Sequence, residues 1–308
     1  METIRDIRIR LKSINSTKQI TESMRMISTR KVQKTKRRMQ ENRAYSEKSL
    51  KTIRDMVDDG RFGAHAYVAG HELNEGEETG KPLVIVITGD RGLCGGYNIN
   101  AAKKAAEFGD ADFVTVGTKG RDYFRRRERN IIAAYKGLSE NPFYKDALTV
   151  GNIALKMYDE KTANEVHLVY TEYHSMLSQT PKALRLLPLE LGAGAGTGKS
   201  AGRAGSEEEA ADAAAVSPFI YNEEPKYETD ADELFKSVAL IHVYSKIFGA
   251  MLESAVCEQC SKLTSMDSAV KNSEKIIDAL TLKYNQMRQS AITQEIAEIV
   301  GGANAVEK

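Results

Sequence analysis

The stretch GAGAGTGKSAG contains residues whose types and spacing could bind a nucleotide. Ala193–Ser200 matches the pattern of a phosphate-binding loop. In such a loop backbone N–H groups surround the phosphates, a lysine reaches the β- and γ-phosphates, and a hydroxyl binds magnesium. Lys199 and Ser200 would take the last two roles. The match therefore raises the hypothesis of a nucleotide hydrolase.

The surroundings of this loop argue against that hypothesis. A phosphate-binding loop needs a strand before it and an amphipathic helix after it. Pro188 interrupts the run of strand-forming residues that enters the loop, and no Val, Ile, Leu, Met, Phe or Tyr occurs from Gly192 to Ala215. A segment made mostly of Gly, Ala, Ser and Glu is typical of a flexible, solvated insertion. We therefore predict an insertion over residues 192–217 and keep the hydrolase as an alternative.

A second glycine-rich turn, TGDRGLCGGYN at Thr88–Asn98, follows a strand-like run directly. Its glycines do not have the spacing of the dinucleotide-binding fingerprint, G-x-G-x-x-G. The sequence favours a tight strand-to-helix turn here over a ligand-binding loop.

Metal and thiol chemistry are also disfavoured. Cys257 and Cys260 form a C-x-x-C pair, but no second pair and no nearby histidine completes a zinc site. With Cys94 the chain has three cysteines, too few for a disulfide framework. The histidines form no H-E-x-x-H motif, and His242 stands alone on a helical segment. We expect no catalytic residues, no metal and no cofactor.

Charge is unevenly distributed along a chain whose formal net charge is only +1. Lysine and arginine exceed acidic residues over residues 1–60, most strongly in RKVQKTKRR at Arg30–Arg38, whereas residues 201–235 are mostly acidic. A polybasic helix face suits an acidic protein, lipid headgroups or a nucleic acid. Aromatic side chains that could stack on bases are missing around it, which weakens a third hypothesis, a nucleic-acid-binding adaptor. No apolar run is long enough to span a membrane.

Two very long helices must position these residues. All six prolines lie between Pro82 and Pro225, and proline or glycine would destabilise a helix interior by about 3 or 1 kcal/mol. We predict helices within 1–60 and 226–300, and roughly 58 and 70 helical residues would span about 90 and 105 Å.

The apolar spacing indicates that the two helices pack antiparallel as a coiled coil. One seam begins with Ile4, Ile7, Leu11 and Ile14, after which the phase slips to Ile20, Met24 and Ile27. The C-terminal seam, broken only by Ser273, consists of Leu263, Met266, Val270, Ile277, Leu280, Tyr284 and Met287, and Ile292, Ile296 and Ile299 are out of phase with it. The alternative is two unrelated amphipathic helices on a core.

The middle of the chain, residues 81–191, alternates short strands with helices. The predicted strands are Leu83–Thr88, Phe113–Gly117, Asn130–Tyr135, Glu165–Thr171 and Ala183–Leu189, and the predicted helices are Ile99–Phe108, Lys119–Arg127 and Pro142–Asp159. This order predicts a mostly parallel, Rossmann-like α/β sheet. The fold class is therefore α/β plus a long antiparallel coiled coil.

Three stretches together resemble the gamma subunit family of bacterial F-type ATP synthase. They are IRDIRIRLKSINSTKQITESMRMISTRKV at residues 4–32, DRGLCGGYNIN at residues 90–100 and LKYNQMRQSAITQEIAEIVGGANAV at residues 282–306. The resemblance runs from the first helix to the last. It implies a non-catalytic rotor shaft that couples proton flow through the membrane to ATP synthesis or hydrolysis on other subunits.

The resemblance also implies partners and contact residues. The partners would be three alpha and three beta subunits, the epsilon subunit and the c-subunit ring, with no nucleic acid, on the cytoplasmic side of the bacterial plasma membrane. By motif match the beta-subunit catch contacts are Arg288, Gln289, Thr293, Met24 and Met26, the basic face toward the beta lever is Arg30, Lys31 and Lys34, and the contact with the c-ring is Tyr221 and Glu223.

This sequence departs from the family pattern at CEQCSKL, Cys257–Leu263. There the family more often has small residues at the cysteine positions and Arg-Met after them. The insertion at 192–217 is a second departure. No regulatory dithiol segment of the chloroplast kind is evident.

Overall fold

The computed structural model describes residues 3–58, 62–71, 80–190 and 230–306, with side chains as far as residue 300. The helices are α1 (Ile4–Asp58), α2 (Ala66–Ala69), α3 (Tyr97–Ala106), α4 (Thr118–Arg125), α5 (Tyr144–Asp159) and α6 (Ala231–Val306). The strands are β1 (Lys81–Ile87), β2 (Asp112–Val116), β3 (Ile131–Tyr135), β4 (Ala163–Tyr173) and β5 (Gln179–Leu187).

Helices α1 and α6 pack antiparallel along most of their length. Arg8 Nη2 donates to Tyr284 Oη at 3.3 Å, Lys18 pairs with Glu274 at 2.8 Å, and Arg25 pairs with Asp267 at 3.2 Å. From one pair to the next, the residue number on α6 falls by as much as the residue number on α1 rises. The two helices therefore keep a single register over these contacts. The predicted antiparallel coiled coil is confirmed. We call this helix pair the shaft.

On α6 the predicted seam is the face that packs on α1. Met266, Val270 and Leu280 are buried, and the other seam positions are half-buried. Ile292, Ile296 and Ile299 are exposed, as expected for residues out of phase with the seam.

On α1 the predicted phase slip was wrong as a description of the packing. Ile20, Met24 and Ile27 are exposed, whereas the inward face continues in the first register through Lys18, Thr21, Arg25 and Ser28. Small hydroxyl side chains and the aliphatic stems of long cations can fill a two-helix seam as apolar residues do. The apolar stripe therefore faces outward.

The α/β part, which we call the foot, is built on a five-stranded sheet in the order β3-β2-β1-β4-β5. Four strands are parallel and the edge strand β5 is antiparallel to β4. The predicted mostly parallel sheet is confirmed. Strand β5 ends at Leu187, so Pro188 follows the strand and does not interrupt it.

Successive residues of β1 point to opposite faces of the sheet, and the two faces pack against different helices. Val84 and Val86 pack with residues of α3 and α4, including Ala102 and Phe124. Leu83, Ile85 and Ile87 pack instead in one core with α5, the C-terminal end of α1 and the N-terminal part of α6. The shaft is thus anchored in the main hydrophobic core of the foot.

One described helix, α6, is long and apolar enough to cross a membrane, judged by length and composition alone. Most of the qualifying window is buried inside the protein, which is typical of a core helix packed on a sheet.

Candidate functional site

Asp90 ties the glycine-rich turn Thr88–Asn98 to the neighbouring loops of the foot. Asp90 Oδ1 accepts hydrogen bonds from Thr118 N at 3.0 Å and Thr118 Oγ1 at 2.9 Å. Its Oδ2 accepts from Gly137 N and Ser139 Oγ, both at 2.9 Å. These four bonds outweigh the effect of burial and lower the pKa of Asp90. Asp90 therefore joins the loops that follow β1, β2 and β3, which is a structural role.

Helix α6 fills the crevice where a sheet of this kind usually binds its ligand. In open α/β sheets that crevice lies at the carboxyl ends of the strands where the strand order reverses, here between β1 and β4. Cys257 of α6 packs there against Cys94 and Tyr97. Glu253 Oε1 accepts a hydrogen bond from Tyr173 N at 2.8 Å, and Cys257 Sγ lies 3.4 Å from Thr171 O. The fold uses this position to dock the shaft.

The three cysteines are free and buried. Burial raises the pKa of the Cys94, Cys257 and Cys260 thiols, which makes each a poor nucleophile and a poor metal ligand. Among the described residues no group of His, Cys, Asp and Glu side chains could hold a metal ion.

The basic run Arg30–Arg38 divides between two sides of α1. Lys31 Nζ lies 3.0 Å from Glu140 Oε2, and Arg38 donates to Asn141 Oδ1 at 2.9 Å and to Pro142 O at 2.6 Å. These cations face the foot. Arg30 and Lys34 are exposed and lie about 100° and 60° around the helix axis from Lys31. Of the three residues predicted to form a lever-facing basic surface, Lys31 is therefore the one that already pairs with the foot.

The exposed apolar stripe of α1 contains one of the two predicted methionine contacts. Ile20, Met24 and Ile27 recur at helical spacing and are 59%, 43% and 55% exposed. Met26 is exposed as well, on a neighbouring face of the helix. These side chains point away from α6 and are available to a partner.

The predicted polar contacts of α6 are exposed near the far end of the shaft. Arg288 and Gln289 are exposed, and Thr293 Oγ1 donates back to Gln289 O at 2.9 Å. By the helix register, Arg288 lies level with Ile4, the first residue of α1. Beyond this level α6 continues for about 25 Å to Val306, without a partner helix in the part of the chain that the structure describes.

The structure does not bring the two halves of the predicted catch together. Met24 lies level with Asp267, because Arg25 pairs with that residue. Asp267 and Arg288 are about 30 Å apart along the helix axis. The methionines and the polar α6 residues therefore present two separate surfaces. Tyr221, Glu223 and the loop Ala193–Ser200 lie outside the described residues.

Sequence reasoning missed a buried group of charges where the shaft leaves the foot. Lys262 Nζ lies 2.7 Å from Glu258 Oε1 and 3.4 Å from Glu140 Oε1, and Glu140 in turn pairs with Lys31. The opposite charges of Glu258 and Lys262, four residues apart on a helix, were a usable signal. The sequence contains no comparable signal for Glu140, which comes from a distant loop.

Comparison with known proteins gives the family. A family profile described as ATP synthase matches residues 3–306. The ATP synthase gamma chain, sodium ion specific, of Acetobacterium woodii is 37% identical over 309 residues, which cover 99% of each chain. The ATP synthase gamma chain of Alkaliphilus metalliredigens is 35% identical over 308 residues, again 99% of each chain. The chain belongs to the ATP synthase gamma chain family.

Solved structures agree with this family at the level of the fold. A chain of the Euglena gracilis mitochondrial ATP synthase, from the structure titled OSCP/F1/c-ring in rotational state 3, superposes with a TM-score of 0.64 at 18% identity. The match covers 98% of this chain and 94% of that chain. A gamma chain fold thus combines the helical shaft with the α/β foot in one polypeptide.

Proposed function

We propose that this chain is the central rotor shaft of an F-type ATP synthase. It couples ion flow through the membrane sector to ATP synthesis or hydrolysis on the alpha and beta subunits and is itself a non-catalytic subunit. The observation that carries this proposal is the geometry of a gamma chain: a stiff two-helix shaft, anchored in the core of a foot domain, that ends in a single helix.

The faces of the shaft support a mechanism for this coupling. At the level of Ile20 and Met24 the exposed side of α1 is apolar, whereas α6 exposes the charged Lys271. Further along α1 the same exposed side becomes basic, with Arg30 and Lys34. A rotating shaft presents a different face to each catalytic subunit in turn. Each face favours one conformation of the subunit that it contacts, so rotation shifts the populations of the catalytic sites.

The assembly that we propose follows from the family. The shaft stands inside a ring of three alpha and three beta subunits, and the foot contacts the epsilon subunit and the c-subunit ring. Tyr221 and Glu223 are the residues that we propose for the c-ring contact. Through this complex the chain is a peripheral protein on the cytoplasmic side of the bacterial plasma membrane. We propose neither a nucleotide site at Ala193–Ser200 nor nucleic-acid binding.

Reconstitution tests the proposed function. We expect the full chain to co-purify with alpha and beta subunits and to give a stable complex with multisite ATP hydrolysis, while the isolated chain has no ATPase activity. Turnover by the isolated chain that Lys199→Ala abolishes would instead support the hydrolase hypothesis. Salt-sensitive binding to DNA at physiological ionic strength would support the adaptor.

Replacing Arg288 and Gln289 together with alanine is expected to lower coupling without destabilising the chain. Both side chains are exposed, so the free energy of unfolding should change by less than about 0.5 kcal/mol. Ion pumping per ATP hydrolysed by the reconstituted complex measures the effect. A matched control is Lys283→Ala with Gln286→Ala, also exposed on α6. Equal coupling in both double variants would remove the catch assignment and leave the fold intact.

The basic face can be tested by comparing Arg30 and Lys34 with another exposed cation of α1. Arg30→Ala with Lys34→Ala should weaken assembly with the beta subunits and make it less sensitive to salt, because screening acts on exposed charge pairs. Arg37→Ala removes another exposed cation, one that pairs with Glu41 on its own helix at 3.0 Å, and serves as the control. An unchanged salt dependence in the double variant would rule out an acidic partner for this face.

A further inference from the structure

Four charged side chains form a chain of contacts across three parts of the molecule. Lys31 of α1 lies 3.0 Å from Glu140, which belongs to the loop between β3 and α5. Glu140 lies 3.4 Å from Lys262 of α6, and Lys262 lies 2.7 Å from Glu258, one helical turn below it. Both shaft helices are therefore tied to one carboxylate of the foot. We call this group the ionic junction.

The ionic junction lies at the level where the shaft leaves the foot. Below it, α6 is embedded in the main core from Phe235 to Met251. Above it, from Met266 to Leu280, the seam residues of α6 face α1. Torque applied to the foot must pass through this level to reach the free shaft.

The inner part of the ionic junction is well shielded from water. The side chains of Glu258 and Lys262 are 0% and 8% exposed, and that of Glu140 is 30% exposed. Burial opposes the charge of Lys262, but Glu258 and Glu140 outweigh it and raise the pKa of the ammonium group. Burial raises the pKa of Glu258, Lys262 opposes this shift, and the charges of Glu140 and Asp90 add to it. Two lysines also outweigh burial at Glu140 and lower its pKa.

The loop that carries Glu140 is itself fixed to the foot. Its neighbour Ser139 donates a hydrogen bond to Asp90 Oδ2 at 2.9 Å, and Asp90 also accepts hydrogen bonds from Thr118 N and Gly137 N. A force on Glu140 is therefore passed to the loops after β1 and β2 as well as to its own.

We propose that the ionic junction is the element that fixes the rotational position of both shaft helices relative to the foot, with Glu140 as the shared positioning residue. This inference rests on the proposed rotor function. The hydrophobic core below anchors α6 against withdrawal, whereas the paired charges, being directional, resist twisting of the helix pair at its exit.

The test uses the reconstituted complex with Glu140→Gln, which keeps the shape of the side chain and removes its charge. We expect normal assembly and ATP hydrolysis, fewer ions pumped per ATP, and amide hydrogen exchange about tenfold faster at residues 138–141 and 257–263. The control is Glu160→Gln, an exposed carboxylate of the same domain that lies 3.8 Å from Lys156 on its own helix. It should match the unsubstituted chain.

Two variants of the second cation separate positioning from general stability. Lys262→Arg keeps a cation between the two carboxylates and should retain pumping, whereas Lys262→Met keeps the bulk and should lose it to the same degree as Glu140→Gln. Unchanged pumping per ATP in both Glu140→Gln and Lys262→Met would overturn the proposal. If instead the unsubstituted chain neither assembles nor supports pumping, the proposed rotor function is wrong. That result is obtained without any variant, so it differs from a failure of the ionic junction proposal.

Discussion

Replacing Val256 with aspartate is expected to lower the free energy of unfolding by about 4 kcal/mol. Val256 is fully buried in a cluster with Val32 of α1 and Cys260 of α6, and Tyr173 of the foot packs against this cluster. A carboxylate there would lose its hydration and lie one helical turn from the half-buried carboxylate of Glu253. Denaturant unfolding of the full chain measures the change.

The control for this substitution places the same charge on the same helix. Thr264→Asp lies about two turns further along α6 at an exposed position, and its effect should stay below about 0.5 kcal/mol. We also expect Val256→Asp to reduce the yield of complex with alpha and beta subunits. Equal stability of the two variants would show that the shaft and foot do not share this core.

Replacing Asp90 with alanine is the second large effect that we expect, a loss of about 3 kcal/mol. The substitution leaves four donors without their acceptor, two of them on Thr118. Asp90→Asn keeps one acceptor oxygen and should lose roughly half as much. An alanine variant as stable as the asparagine variant would contradict the role assigned to this carboxylate.

The pH dependence of stability provides a separate check on Asp90. The pKa of Asp90 is lower in the folded chain than its ordinary value of 3.8. Its contribution is therefore fully present above about pH 4 and is lost as the pH falls through the folded pKa. Denaturant unfolding at pH 7 and pH 3 should show a smaller difference between Asp90→Ala and the unsubstituted chain at the lower pH.

Long-period patterns in the sequence predicted the architecture because they state a physical requirement directly. Segments without Pro or Gly, with apolar residues at heptad spacing, can hardly form anything but long paired helices. The α6 seam was predicted residue by residue. On α1 the same reasoning fails, because it places Ile20, Met24 and Ile27 in the seam, which Thr21 and Ser28 fill instead.

The surface could be predicted less well, because it depends on how distant segments meet. The direction in which Lys31 points is set by Glu140, more than a hundred residues away, and no local pattern records that pairing. The distance between Met24 and Arg288 depends on the register of α1 against α6. That register is set by contacts between the two helices, such as that between Arg25 and Asp267.

Rotation of the foot within the assembled complex tests the central claim most directly. All three native cysteines are buried, so a cysteine placed at Asp110, whose side chain is 80% exposed, can carry a single probe on the foot. With alpha and beta subunits immobilised, the account predicts that the probe turns in one direction when ATP is added and stops when ATP is removed. Sustained ATP hydrolysis by the complex with a stationary probe would contradict it.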